Sequence, residues 1–200
     1  SFAIPTTRSK GESKEGPAKP PVVSGDYLGH IVQVNSKVVD VKGGEFKARV
    51  YDYFVEVAPE NKENKYTYKR YSDDETVDVD GSSYSGYKFK GSIFKYLEPG
   101  DKDTFKSRSE LNKYYLWFCE SCGIECPIIT TKIDGQEIEV KSLPVIKMDE
   151  LVGTPVQAVI GKGNTWTDSD GNERTPWVVK FVRDWKDGKK REIDDNDIPF

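Results

Sequence analysis

Histidine and methionine each occur once in these 200 residues and cysteine only three times. A Ser-His-Asp arrangement could centre only on His30, which sits in a strand pattern beside no persuasive partner. No Gly-rich phosphate cradle, metal-protease helix or nucleophile elbow is present, so catalysis has no motif to rest on. The three thiols, Cys119, Cys122 and Cys126, are odd in number and crowded, a poor disulfide framework that fits a reducing compartment. No run approaches the roughly 18 apolar residues of a membrane span. The first residues also lack the apolar stretch of a secretory signal. These absences predict a soluble, cytoplasmic protein that is not an enzyme, needs no cofactor and meets no membrane.

Apolar residues make up 36% and charged residues 32% of the chain, which is polar for a globular protein and places part of it outside any core. The net charge is -4, yet Glu192, Asp194, Asp195 and Asp197 carry that much within the last nine residues, where no Lys or Arg occurs. The rest is neutral overall and has charge of both signs for local patches.

Residues 1–22 are rich in Pro, Gly, Ser and Lys and lack apolar periodicity, so burial would not offset the entropy of ordering them. They are read as a flexible, mildly basic arm, most simply a solvated one. The body, 23–187, opens with strand formers from Gly25 to Val41 and a Gly43-Gly44 turn. A second run, KARVYDYFVEVA (47–58), carries large residues on both faces, as a long curved barrel strand would. Residues 59–83 read as a polar connection containing one short strand in KYTYKRY (65–71), and a further strand spans 84–96 up to Pro99-Gly100.

One helix is predicted from a capping box at Ser107-x-x-Glu110 to just before Gly123, with Leu111, Tyr114, Tyr115, Phe118 and Cys122 on its apolar face. An Asp134-Gly135 hairpin and an extended, proline-bearing KSLPVIKMDEL follow, then strands at 154–163 and 174–185 joined by a polar loop. The fold class is mainly β. Three strands, a helix, then two strands is the order of an OB-fold, a five-stranded Greek-key barrel, here with an added hairpin.

Proteins that coat single strands need flat rings for base stacking beside cations for phosphates. Three clusters meet that description. KYTYKRY supplies Tyr66, Tyr68, Lys69, Arg70 and Tyr71; YKFKGSIFKY supplies Tyr87, Lys88, Phe89, Lys90, Lys95 and Tyr96; the last inter-strand loop supplies Lys162, Trp166 and Arg174. Tyr53 is a further candidate from the second strand. Trp166 stands out because its polar surroundings offer no core, whereas Trp177 and Trp185 alternate with Val179 and Phe181 and are assigned to core packing. The spacing Cys119-x-x-Cys122 with Cys126 suits a metal but lacks a fourth ligand unless His30 approaches, so buried thiols are the preferred reading.

The last residues, 188–200, form an acidic tail closing on Asp194, Asp195, Asn196, Asp197, Ile198, Pro199 and Phe200. Ile198 and Phe200 are apolar groups that a free tail cannot bury, Pro199 lowers their ordering cost, and the carboxylates would meet a basic rim on a partner. This DDNDIPF ending resembles the C-terminal tip of bacterial single-stranded-DNA-binding proteins. The segments from Gly25-Asp26-Tyr27 through KARVYDYFVEVA, NKYYLWFCESCG and LVGTPVQAVI look like the OB-fold single-stranded-DNA-binding proteins of some bacteriophages. The resemblance implies sequence-independent binding of single-stranded DNA in replication and recombination inside an infected bacterium. It also implies that Asp194, Asp195, Asp197, Ile198, Pro199 and Phe200 recruit a helicase, nuclease, primase or mediator. An adaptor or inhibitor that copies the tail without binding DNA is the alternative, and a homo-oligomer is compatible with either.

Overall fold

The computed structural model describes residues 19–44, 46–97 and 112–194. The arm at 1–18, the Pro99-Gly100 signal, the Ser107-x-x-Glu110 capping box, Leu111 and the tip from Asp195 to Phe200 lie outside the described residues. In chain order the strands are β1 (Gly25–Val41), β2 (Phe46–Val57), β3 (Lys65–Lys69), β4 (Thr76–Asp80) and β5 (Lys88–Leu97). Helix α1 (Lys113–Ser121), the hairpin β6 (Ile128–Ile133) and β7 (Gln136–Lys141), and a one-turn helix α2 (Met148–Leu151) follow. The chain ends on β8 (Pro155–Lys162), the two-residue strands β9 (Trp166–Thr167) and β10 (Glu173–Arg174), and β11 (Trp177–Asp184).

Five strands close a barrel in the order β1-β2-β5-β11-β8. Strand β1 serves both halves: Gly25 to His30 pair with β8, and from Gly29 onward the strand pairs with β2. A register shift between Ile31 and Gln33 marks the bend, and Ile31 and Val32 are both buried there. Closure depends on one parallel contact, Val178 of β11 beside Lys90 of β5, while every other barrel pairing is antiparallel. The register is staggered as closure requires. Val57 donates to Tyr87 just before β5, whereas the opposite route from Gly29 through Val156 to Asp184 arrives towards the Tyr96 end of β5. A closed five-stranded barrel with one helix of several turns between its third and fourth strands is compatible with an OB-fold.

The interior is rich in tyrosine, and a buried hydroxyl needs a partner. Tyr27 stacks on Tyr66 at 4.5 Å between ring centroids and meets Tyr84 edge-on at 5.3 Å. Tyr27, Tyr84 and Tyr87 donate to the carbonyls of Val23, Pro21 and Pro20 at 2.7, 2.8 and 2.6 Å, tying the residues before β1 to the barrel. Tyr66 donates to the Asp26 carbonyl at 2.6 Å. Asn61, fully buried, accepts from the Leu28 backbone at 2.9 Å and donates to the Gly81 carbonyl. Burial holds these phenols protonated, with Tyr84 pushed up to about 12.

The polar connection holds two strands where one was expected. TVDVD pairs with KYTYK across the acidic turn, where Asp74 has φ 57°. The final loop likewise carries the small β9–β10 ladder, and one turn of the extended KSLPVIKMDEL segment is helical. Beyond β11 the chain folds back as a strap. His30 donates from Nε2 to the Lys189 carbonyl at 2.9 Å, the Arg191 amide donates to the Gly153 carbonyl at 2.9 Å, and the Arg191 guanidinium pairs with Glu56. Gly153 has φ +93°, and a Cβ there would run into the Arg191 carbonyl oxygen. No helix among the described residues is long and apolar enough to cross a membrane.

Candidate nucleic-acid interface

After their single pairing at Lys90 and Val178, β5 and β11 part, and α1 lies beside the opening. The result is a groove of about 580 Å³. Tyr53 and Phe118 form its floor, with ring centroids 5.0 Å apart. Gly91 makes the floor possible, because a Cβ at that position would overlap the Tyr53 ring. Four large aromatic residues line the groove and are exposed: Tyr114 is 60% exposed, Trp117 57%, Phe181 48% and Phe94 38%. Lys180 and Arg183 line it too.

Each ring is there for a local reason. On the outer side of β5, Lys88, Lys90, Ser92, Phe94 and Tyr96 alternate with the inward Phe89, Gly91, Lys95 and Leu97. Phe94 and Tyr96 stack at 6.2 Å, and Ser92 hydrogen-bonds Asp52 on β2. Tyr114 and Trp117 are three residues apart on α1 and share a face that turns away from Tyr115, Phe118 and Cys119, which enter the core. Their rings meet edge-on at 5.4 Å. The expected packing of Tyr114 against the sheet is therefore corrected: this short helix carries aromatic residues on two faces and only one is covered.

Phe181 is a second correction. Simple alternation from Trp177 and Val179 would place it inside, but the register slips between Val179 and Phe181 where β11 pairs with β8. One extra residue turns Lys180 and Phe181 outward together, and Val182 takes the next interior place. Arg183 then lies over the Phe181 ring, 5.2 Å from its centroid.

The residues nominated from sequence fall into three groups. Tyr53, Tyr66, Phe89 and Lys95 are core residues, each under a tenth exposed, so no base or phosphate can reach them without opening the barrel. Tyr87 is half-buried, with its hydroxyl on Pro20 and Lys19 above its ring. Tyr68 is half-buried on β3, near exposed Lys69, Arg70 and Tyr71 at the far end of the β3–β4 hairpin. Arg70 forks onto Asp73 at 3.0 and 2.6 Å and holds that carboxyl below its usual value.

The third group approaches the groove. Lys88 and Lys90 are exposed on the outer face of β5, and β11 begins between Lys90 on one flank and Lys162 on the other. Lys162 lies 5.6 Å from the Trp177 ring centre. On the adjoining β9–β10 turn, Trp166 is 54% exposed opposite Arg174, whose Nε donates to Asp168 at 3.0 Å. Asp168 also accepts from the Asp170 and Asn172 backbones, which together with Arg174 lower its pKa.

The cysteines are free thiols. Cys119 is buried, and loss of solvent pushes its thiol up to about 12. His30, the candidate fourth ligand, is engaged with the strap at Lys189 instead. Among the described residues no group of three or more His, Cys, Asp or Glu side chains is placed to hold a metal ion.

Tyr96, one of the sequence-derived candidates, lines the groove, whereas Phe94, Tyr114, Trp117, Lys180, Phe181 and Arg183 are absent from them. Two of the rings were within reach: extending the Lys88–Lys90 alternation by two steps finds Phe94, and separating the two faces of KYYLWFCES finds Trp117. The bulge that exposes Phe181 has no sequence signal of its own. The groove thus presents rings open to solvent with Lys180 and Arg183 beside them. In comparison with known proteins, no protein family, no curated relative and no solved structure matches this chain.

Proposed function

We propose that this protein binds single-stranded DNA without regard to base sequence, protecting strands exposed during replication and recombination. The observation that carries the reading is the groove between β5 and β11, where Phe94, Tyr114, Trp117 and Phe181 stand exposed beside Lys180 and Arg183. Every base has a face to stack, so rings without dedicated hydrogen-bond partners favour no sequence, and the cations follow the backbone. Lys90 continues the outer face of β5 to the start of β11. A duplex keeps its base faces internal and has nothing to offer the rings.

The acidic tip, Asp194 to Phe200, serves as the recruiter of partner proteins, and its charge competes with DNA for the cations of the groove. Anisotropy of a labelled oligo-dT, titrated with the intact chain and with a 192–200 deletion at low and moderate salt, tests both parts. Salt-sensitive binding of the single strand and not the duplex, tightened by the deletion at low salt, is expected. Absence of binding by both forms would overturn the reading in favour of an adaptor that works through its tail alone.

A further inference from the structure

The β6–β7 hairpin is a two-stranded sheet on its own, joined to α1 by Lys141 and Glu120 at 2.5 Å and pairing with no other described strand. Such a ribbon is marginal in water unless something covers or extends it. Its register puts Ile129, Thr131, Ile138 and Val140 on one face and Ile128, Thr130, Lys132, Glu137, Glu139 and Lys141 on the other. Ile129 and Ile138 remain exposed on the apolar face.

The two free edges differ in what they accept. Asp134 and Gly135 form a two-residue turn with φ 52° and 80°, so the flanking residues 133 and 136 are a hydrogen-bonded pair. The backbone groups of Thr130 and Lys132 therefore point away from β7, and those of Glu137 and Glu139 point away from β6. Suppose either edge meets its own copy across a twofold axis. Facing residues must share a side of the sheet, so the axis passes through a residue and not between two. On β7 an axis through Ile138 sets Glu137 against Glu139 at both ends, and an axis through Glu139 sets Glu139 against itself at the centre, with Glu137 facing Lys141 on either side. Both registers oppose like charges. On β6 an axis through Thr130 or Thr131 sets threonine against itself, and Lys132 faces Ile128 or Thr130. Neither register opposes like charges, and Lys132 keeps Glu137 of its own chain alongside.

We propose that two copies of this chain pair edge to edge through β6, forming a four-stranded sheet in the order β7-β6-β6-β7 whose apolar face runs unbroken across the join. This dimer is independent of the groove, none of whose lining residues lies on the hairpin.

Sedimentation velocity of the full chain over a concentration series reads the mass directly. A reversible doubling is expected, abolished by Thr130→Pro, which removes an outward N–H but no rung within the hairpin. Glu139→Pro makes the same change on the other edge and should leave the dimer intact. Hydrogen exchange of the unaltered protein gives a second reading: the Thr130 and Lys132 amides slow with rising concentration while those of Glu137 and Glu139 do not. A monomer at every concentration would overturn the proposal and leave the edge for a strand of another protein. A dimer that survives Thr130→Pro, or that Glu139→Pro also dissolves, would overturn it as well.

Discussion

Where β1 meets β8 and β2, Tyr27, Tyr66 and Tyr84 are buried and their hydroxyls each reach a backbone carbonyl. Where β5 and β11 part, Phe94, Tyr114, Trp117 and Phe181 hold their rings at the surface. The same class of side chain does opposite things on two sides of one barrel, and the cause is the backbone. On the first side β1 has antiparallel partners on both flanks and Tyr27 is covered by Tyr66 of β3 and by Tyr84, while on the second a single parallel contact followed by divergence, together with a one-residue bulge, leaves the rings open.

The sharpest way to break the comparison is to delete one ring from each side. Tyr27→Ala should cost about 3–5 kcal/mol of folding stability, the range for emptying a large buried aromatic site, measured by urea denaturation. Tyr114→Ala should leave the denaturation midpoint nearly unchanged. If the two variants lose similar stability, the distinction between the sides is false.

Next in size is affinity. Removing Trp117 and Phe181 together with Ala replacements should weaken oligo-dT binding by at least roughly tenfold, since each base-on-ring stack contributes about 1–3 kcal/mol. The melting temperature should barely move. Full affinity in that double variant would show that the groove is not where bases lie.

Smaller again is the salt response. Arg183→Ala should lower the slope of log affinity against log salt by about 0.7 if its guanidinium meets one phosphate, with Lys88→Ala, farther along β5, as the comparison. An unchanged slope would remove Arg183 from the phosphate path.

The smallest effect concerns pH at the β9–β10 turn. Asp168 is held below its usual value of 3.8, first by the Asn172 amide and then by Arg174. A depressed folded value means that its contribution is complete above the ordinary carboxylate range and is lost as pH falls through the lower folded value. The Asn172 amide resonance should therefore stay constant from neutral pH to about pH 4 and shift only below it. A shift starting near pH 6 would assign the titration to another group.

Most of the framework could be read before any coordinates. Strand formers marked β1, β2, β5, β8 and β11, and Asp134-Gly135 marked the extra hairpin with its turn. β4 escaped because TVDVD buries little, and pairing with β3, not burial, makes it a strand. The candidate site was less legible. Proximity of aromatic residues to lysines along the chain selected KYTYKRY, whose Tyr66 is a core residue, because neighbours in a strand point to opposite faces. The groove takes its residues from four elements separated in sequence, and β11 contributes through a register slip that only its pairing with β8 reveals.

The strap after β11 has a mechanical consequence. If a partner engages the acidic tip as proposed, tension along the strap meets the Arg191 contacts with Gly153 and Glu56 and the Lys189 contact with His30 before it reaches β11. None of those residues lines the groove. Such tension would be grounded in β2, β1 and the approach to β8 rather than in β5 and β11, the strands proposed to hold DNA.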